Sequence, residues 1–132
     1  GFSRENLFSK YFTKKIKIRK SPIFVAMIES REGIKNLKSI LGVKGLDAIL
    51  IGPYDLSSSL GITGKFNHKK FKEAISYIKK VTKKKKIPVG IHILENNFSA
   101  LHEYKKQGYS FLPYCTDGML LNTAIKSSFK KK

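Results

Sequence analysis

Two carboxylates stand at the ends of apolar runs. Glu29 follows Ile23-Phe24-Val25-Ala26-Met27-Ile28, and Asp55 follows Ala48-Ile49-Leu50-Ile51 with only Gly52-Pro53-Tyr54 between. The second run is too apolar for an exposed edge, and Gly52 and Pro53 stop it as a strand. Asp55 is then left at the strand's C-terminal mouth, where α/β proteins place their ligands. Two strand ends, each tipped by an acid, point to a divalent-metal site. The bland alternatives are local. Asp55 could form a turn or cap the Leu56–Leu60 stretch. Glu29 could be an acid at the start of the next helix, favoured by its dipole.

Fewer of the remaining reactive side chains suggest chemistry. His92 falls near the end of another apolar run, Pro88–Leu94, where it is either a catalytic group or a satisfied rim histidine. His68 and His102 fall on expected helices and are expected to be exposed. Asp117 is expected to cap the last helix rather than to take part in catalysis. Cys115 is the only cysteine, so an intrachain disulfide and a cysteine-based zinc cluster are both excluded. It reads as a small buried apolar residue, and a lone thiol fits a reducing cytoplasm.

The elements that must position these residues alternate regularly. Strands are expected over Ile23–Ile28, Leu46–Ile51, Pro88–Leu94 and Tyr109–Tyr114. Helices are expected over Glu32–Leu41, Lys69–Lys84, Phe98–Gln107 and Gly118–Phe129, with Asn67 and Asn97 as N-caps of the middle two. In the second helix Phe71, Ala74, Ile75, Ile78 and Val81 form one apolar stripe, and the lysines take the other face. Four consecutive βα units imply parallel strands with right-handed crossovers, and their apolar runs want both faces covered. A four-stranded doubly wound sheet and half of an eight-unit barrel both satisfy this pattern. Residues 1–21 are expected to form a short helix and a basic loop ahead of this α/β domain, which occupies 22–132.

Composition narrows the function classes. The chain has 132 residues, 41% of them hydrophobic, enough for a real core in one modest domain. No apolar run reaches the roughly 20 residues of a membrane helix, and no secretion signal is expected, since Gly1-Phe2-Ser3-Arg4-Glu5 has neither a basic nor an apolar signal region. The chain opens on Gly1-Phe2 rather than on Met, as expected of a trimmed product or of a segment within a longer reading frame. Net charge is +18 from 27 basic residues, but arginine stands only at Arg4, Arg19 and Arg31. Nucleic-acid sites favour the bidentate guanidinium, and lysines on helix faces and at helix ends are favoured without any partner. The charge therefore reads as a solvated surface, and no nucleic-acid or membrane partner is expected.

The order of these segments resembles the HpcH/HpaI aldolase family. The resemblance is carried by Met27-Ile28-Glu29-Ser30, then Gly33-Ile34, then Val43-Lys44-Gly45-Leu46-Asp47-Ala48, and above all Ile51-Gly52-Pro53-Tyr54-Asp55-Leu56-Ser57. Pro88-Val89-Gly90-Ile91-His92, Gly108-Tyr109-Ser110-Phe111 and Asp117–Leu121 continue it. It implies a class II aldolase on a (β/α)8 barrel, cleaving 4-hydroxy-2-oxo or 2-keto-3-deoxy acids to pyruvate and an aldehyde. It also implies that Glu29 and Asp55 hold a divalent cation, Mg2+ or Mn2+. The backbone of Gly52, Pro53, Tyr54 and Asp55 would then hold the substrate carboxylate. A hard cation suits these oxygen ligands and keeps positions for a 2-oxo acid. CoA-ester lyases of the citrate lyase β or malyl-CoA type share the barrel and a similar turn, and are the alternative.

The departures from the family pattern matter equally. The chain matches the C-terminal half of the barrel. The family's acid/base His and keto-polarising Arg come from the earlier half and have no counterpart in residues 1–20. Met27 stands where the family often carries Gln, and a thioether is a poor ligand for a hard cation. The expectation is a partial chain that needs an N-terminal half-barrel or forms a homo-oligomer, or else a non-catalytic barrel fragment.

Overall fold

The computed structural model describes residues 22–94 and 97–129. The expectations for residues 1–21 lie outside that range. Three short strands, β1 (Val25–Ile28), β2 (Ala48–Ile51) and β3 (Val89–Ile91), form one parallel sheet in that order. The register sets Ala26 beside Ile49 and Ile28 beside Ile51, with Ile49 beside Val89 and Ile51 beside Ile91. These residues share one face, because successive strand side chains alternate. That face carries the core, where Ile28, Ile49 and Ile51 join Leu37, Leu56, Phe71 and Ile78. The opposite face carries Val25 and Met27, both exposed in the isolated chain.

Helices return the chain between strands. The first crossover is two short helices, α1 (Arg31–Lys35) and α2 (Leu37–Ile40), where one was expected. The chain breaks at Asn36, whose N–H still bonds the Glu32 carbonyl at 2.9 Å. The apolar spacing survives the break, so Leu37 and Leu41 both reach the core. The second crossover contains α3 (Pro53–Ser59) and α4 (Lys69–Lys85). Along α4 the buried residues are Phe71, Ala74, Ile78 and Thr82, and the lysines other than the half-buried Lys79 are exposed. Its N-cap is His68 rather than Asn67. His68 has the extended backbone an N-cap needs, and its Nδ1 accepts from the Lys70 N–H at 3.1 Å.

Asn97 caps α5 (Phe98–Lys106) as expected, accepting from the Ser99 N–H at 3.0 Å. The last helix, α6 (Asp117–Ser128), is capped by Thr116 and not by Asp117. Asp117 is the first helical residue, and its Oδ1 instead accepts from the Gly118 N–H at 2.8 Å.

The expected fourth strand, Tyr109–Tyr114, forms only two isolated parallel bridges, Gly90 to Phe111 and Ile93 to Tyr114. The reason is local. Pro113 has no N–H to give to a ladder, and Cys115 turns to φ 51°, outside extended geometry. Gly90 is required at this crossing, because a Cβ there would stand 2.7 Å from the Phe111 ring and carbonyl oxygen.

Candidate metal and carboxylate site

Glu29 is the first residue after β1, and Asp55 lies in the first turn of α3, directly after β2. The adjacent strands bring their ends together, since Ile28 pairs with Ile51 and the Gly52 N–H donates to the Ile28 carbonyl at 3.2 Å. Gly52 leaves the space that the site uses. A Cβ there would stand 3.2 Å from both Cβ and Oε2 of Glu29, and 3.5 Å from the Met27 sulfur. The Glu29 carboxylate therefore lies against the head of α3, on the same side of the sheet as Met27.

Both carboxylates are exposed, and neither has a hydrogen-bond or ion-pair partner among the described residues. Glu32 is likewise exposed and without a side-chain partner among the described residues, whereas other acids are engaged. Asp47 accepts from the Phe24 N–H at 2.9 Å, and Glu73 and Glu103 each pair with a lysine on their own helix.

The head of α3 is open. Gly52 is its N-cap and offers no side-chain hydrogen bond, and Pro53 occupies the first turn, where its missing N–H costs nothing. The Leu56 N–H closes the first intrahelical bond onto the Gly52 carbonyl at 3.0 Å. The N–H groups of Tyr54 and Asp55 precede that bond and remain donors for a ligand. Tyr54 turns its ring onto Phe66, edge to face at 5.0 Å, so its side chain packs on the loop before α4.

Ser57, part of the most distinctive segment, is wholly buried. Its hydroxyl donates to the Tyr54 carbonyl at 2.8 Å and accepts from the Gly64 N–H at 2.9 Å, which ties α3 to the following loop. The sequence reading missed a second tie. The Arg31 N–H donates to the Ser59 hydroxyl at 3.0 Å, and its guanidinium lies beside Gly61. This is the described range's sole arginine, and it serves the far end of α3 rather than the carboxylates.

His92 is half-buried just after β3, with Nε2 3.4 Å from the Cys115 carbonyl. It makes no hydrogen bond to Glu29 or Asp55. His68 and His102 are exposed, and Cys115 is buried.

The residues fit a hard cation. Two carboxylates supply the oxygen donors and the side-chain-free Gly52 leaves room beside one of them, but no group of three or more His, Cys, Asp or Glu able to hold a metal occurs among the described residues. A two-carboxylate donor set is the kind that leaves most positions of Mg2+ to water and substrate. The Met27 sulfur beside Glu29 adds nothing to it.

A family model, HpcH/HpaI aldolase/citrate lyase, matches residues 7–124. The chain belongs to the HpcH/HpaI aldolase/citrate lyase family. It is 35% identical over 104 residues to a 4-hydroxy-2-oxo-heptane-1,7-dioate aldolase of Escherichia coli, covering 78% of this chain and 38% of that protein. It is 29% identical to a 5-keto-4-deoxy-D-glucarate aldolase of Escherichia fergusonii, covering 97% of this chain and 50% of the relative. The crystal structure of an HpcH/HpaI aldolase from Desulfitobacterium hafniense superposes with a TM-score of 0.74 at 27% identity, over 82% of this chain and 41% of that one. The HpcH/HpaI chain described here thus spans half or less of the length of these relatives. Its parallel α/β sheet matches part of their TIM-barrel-like fold. No helix among the described residues is long and apolar enough to cross a membrane.

Proposed function

We propose that the chain is the metal-binding half of an aldolase-type lyase that cleaves 4-hydroxy-2-oxo or 2-keto-3-deoxy acids to pyruvate and an aldehyde. The observation that carries this reading is the Glu29 carboxylate lying against Gly52, with Asp55 in the first turn of the same short helix. Glu29 and Asp55 would hold a Mg2+ or Mn2+ ion. Such an ion supplies Lewis-acid stabilisation of the negative charge that carbon–carbon cleavage leaves on a 2-oxo acid. The open Tyr54 and Asp55 N–H groups orient the substrate carboxylate, and Gly52 and Pro53 shape the backbone that presents them. His92 makes no hydrogen bond to either carboxylate, and in this reading the proton-transferring His and the polarising Arg come from another polypeptide segment.

Surface exposure supports the need for such a segment. Met27 is 51% exposed on the inner sheet face, the outer edge of β1 is unpaired among the described strands, and α6 buries no residue. An N-terminal half-barrel or a second copy of the chain would cover these surfaces.

Two measurements on the 132-residue chain test the reading. Mn2+ binding by electron paramagnetic resonance should be lost in Asp55→Asn and Glu29→Gln, with circular dichroism unchanged. Pyruvate release from a 4-hydroxy-2-oxo acid should be absent for the chain alone. It should appear when the N-terminal half of the E. coli relative is added with Mg2+ or Mn2+. Wild-type Mn2+ affinity in both variants would remove the site. Faster turnover of a CoA thioester than of the free acid would move the chain to the citrate lyase side of its family.

A further inference from the structure

A cavity of about 530 Å3 opens on the helix side of the sheet, between α4 and α5; Pro53 and His92 are among its lining residues, and neither Glu29 nor Asp55 is. Its volume falls within the usual range of small-molecule sites. Its lining is mixed, with four aromatic rings, Phe66, Phe71, Tyr104 and Tyr109, over a floor that includes Ile75 and Ile91. The rings form two pairs, Phe66 with Phe71 at 5.2 Å and Tyr104 with Tyr109 at 5.8 Å between centroids. Flat rings of this kind suit an apolar body.

The charge on the wall is of one sign. Lys72 and Lys79 both line the cavity from α4, and no Asp or Glu does among the described residues. Their separation is about two helical turns, roughly 10 Å, so they share a face. Neither lysine is ion-paired among the described residues. The Lys79 ammonium is held 4.4 Å from the centre of the Tyr109 ring, partly out of water, and that desolvation lowers its pKa from the ordinary lysine value. An incoming anion would restore the interactions this cation gives up on leaving water.

We propose that this cavity binds a small organic monoanion, with an apolar ring seated between the aromatic pairs and a carboxylate on Lys79. The site includes neither Glu29 nor Asp55 and takes its ligand without metal.

The test is titration of the full chain with 1-naphthoate by isothermal calorimetry, in metal-free buffer at low salt. Saturable one-site binding is expected. Lys79→Met should weaken it about tenfold, the loss of one charge-assisted contact. Ser76→Trp, from an exposed position on the rim, should block it, with circular dichroism reporting the fold of both variants. Lys44→Met, on a distant loop, should leave binding unchanged, and neutral 1-naphthalenemethanol should bind about tenfold more weakly than naphthoate. The proposal is overturned by an absence of saturable binding to the wild type, by an equal loss in Lys44→Met, or by equal affinity for the alcohol. Glu29→Gln should bind naphthoate normally, so failure here and failure of the metal site are separate results.

Discussion

At Gly52 the backbone has φ −92°, a conformation open to any residue, so the position is not held by backbone freedom. What an alanine would add is a Cβ 3.2 Å from the Glu29 carboxylate. Gly52→Ala should therefore weaken Mn2+ binding by roughly 10- to 100-fold, the usual effect of disturbing a group that orients a metal ligand. The urea unfolding midpoint should hardly move; unchanged Mn2+ affinity would mean that Glu29 takes no part. A second residue-scale effect concerns Tyr109. Burial first, and the neighbouring Tyr104 second, push its phenol up to about 12. The folded state thus favours the protonated form. The resulting stability is fully present below about pH 10, the unfolded value, and is lost between pH 10 and 12. Urea titrations should show wild type falling relative to Tyr109→Phe across that window and running parallel to it below. The strand-end positions of Glu29 and Asp55 were legible, because an apolar run that gives way to an acid or to Gly-Pro marks where a strand stops. The caps at His68 and Thr116 were each misread by one position. Adjacent residues there can all accept a hydrogen bond, and only the backbone angles decide which one does.

Among the elements, α3 depends most on a single side chain. Ser57 is buried and satisfies both the Tyr54 carbonyl and the Gly64 N–H. Ser57→Ala would strand both groups, and equilibrium urea unfolding should show a loss of about 2 kcal/mol. Mn2+ affinity should fall as well, because the head of α3 loses its anchor to the loop. A stability loss with no change in affinity would mean that Asp55 is held in place by other contacts. The ends of β1 and β2 followed from the apolar runs and the Gly52-Pro53 stop, but α3 was not among the expected helices; only a turn was read over Leu56–Leu60. Each strand is shorter than its apolar run, because pairing partners and not composition set where a ladder ends. The Tyr109–Tyr114 segment shows the limit of that logic. Its alternation reads as a strand, yet Pro113 and the left-handed Cys115 reduce it to two bridges.

For the molecule as a whole, the sequence shows how much is apolar but not which apolar residues lack a cover. The apolar run Ile23–Ile28 wants both its faces covered, and the structure leaves Val25 and Met27 exposed on one of them. Leu121 and Ile125 of α6 are 63% and 47% exposed. The chain also carries a net charge of +18. Copies that would bury these surfaces against one another must first overcome like-charge repulsion. Salt shortens the reach of that repulsion from roughly 30 Å at 0.01 M to about 8 Å at 0.15 M. Sedimentation velocity should therefore show the chain associating more as sodium chloride rises, and Leu121→Lys with Ile125→Lys should suppress that rise. Weaker association at higher salt would mean that charge pairs hold the copies together. The unburied helix has a consequence for handling the protein. The lysine coat acts as a colloidal stabiliser for sticky patches, so a polyanion or a concentrated salt that neutralises the coat should bring the chain out of solution before it unfolds.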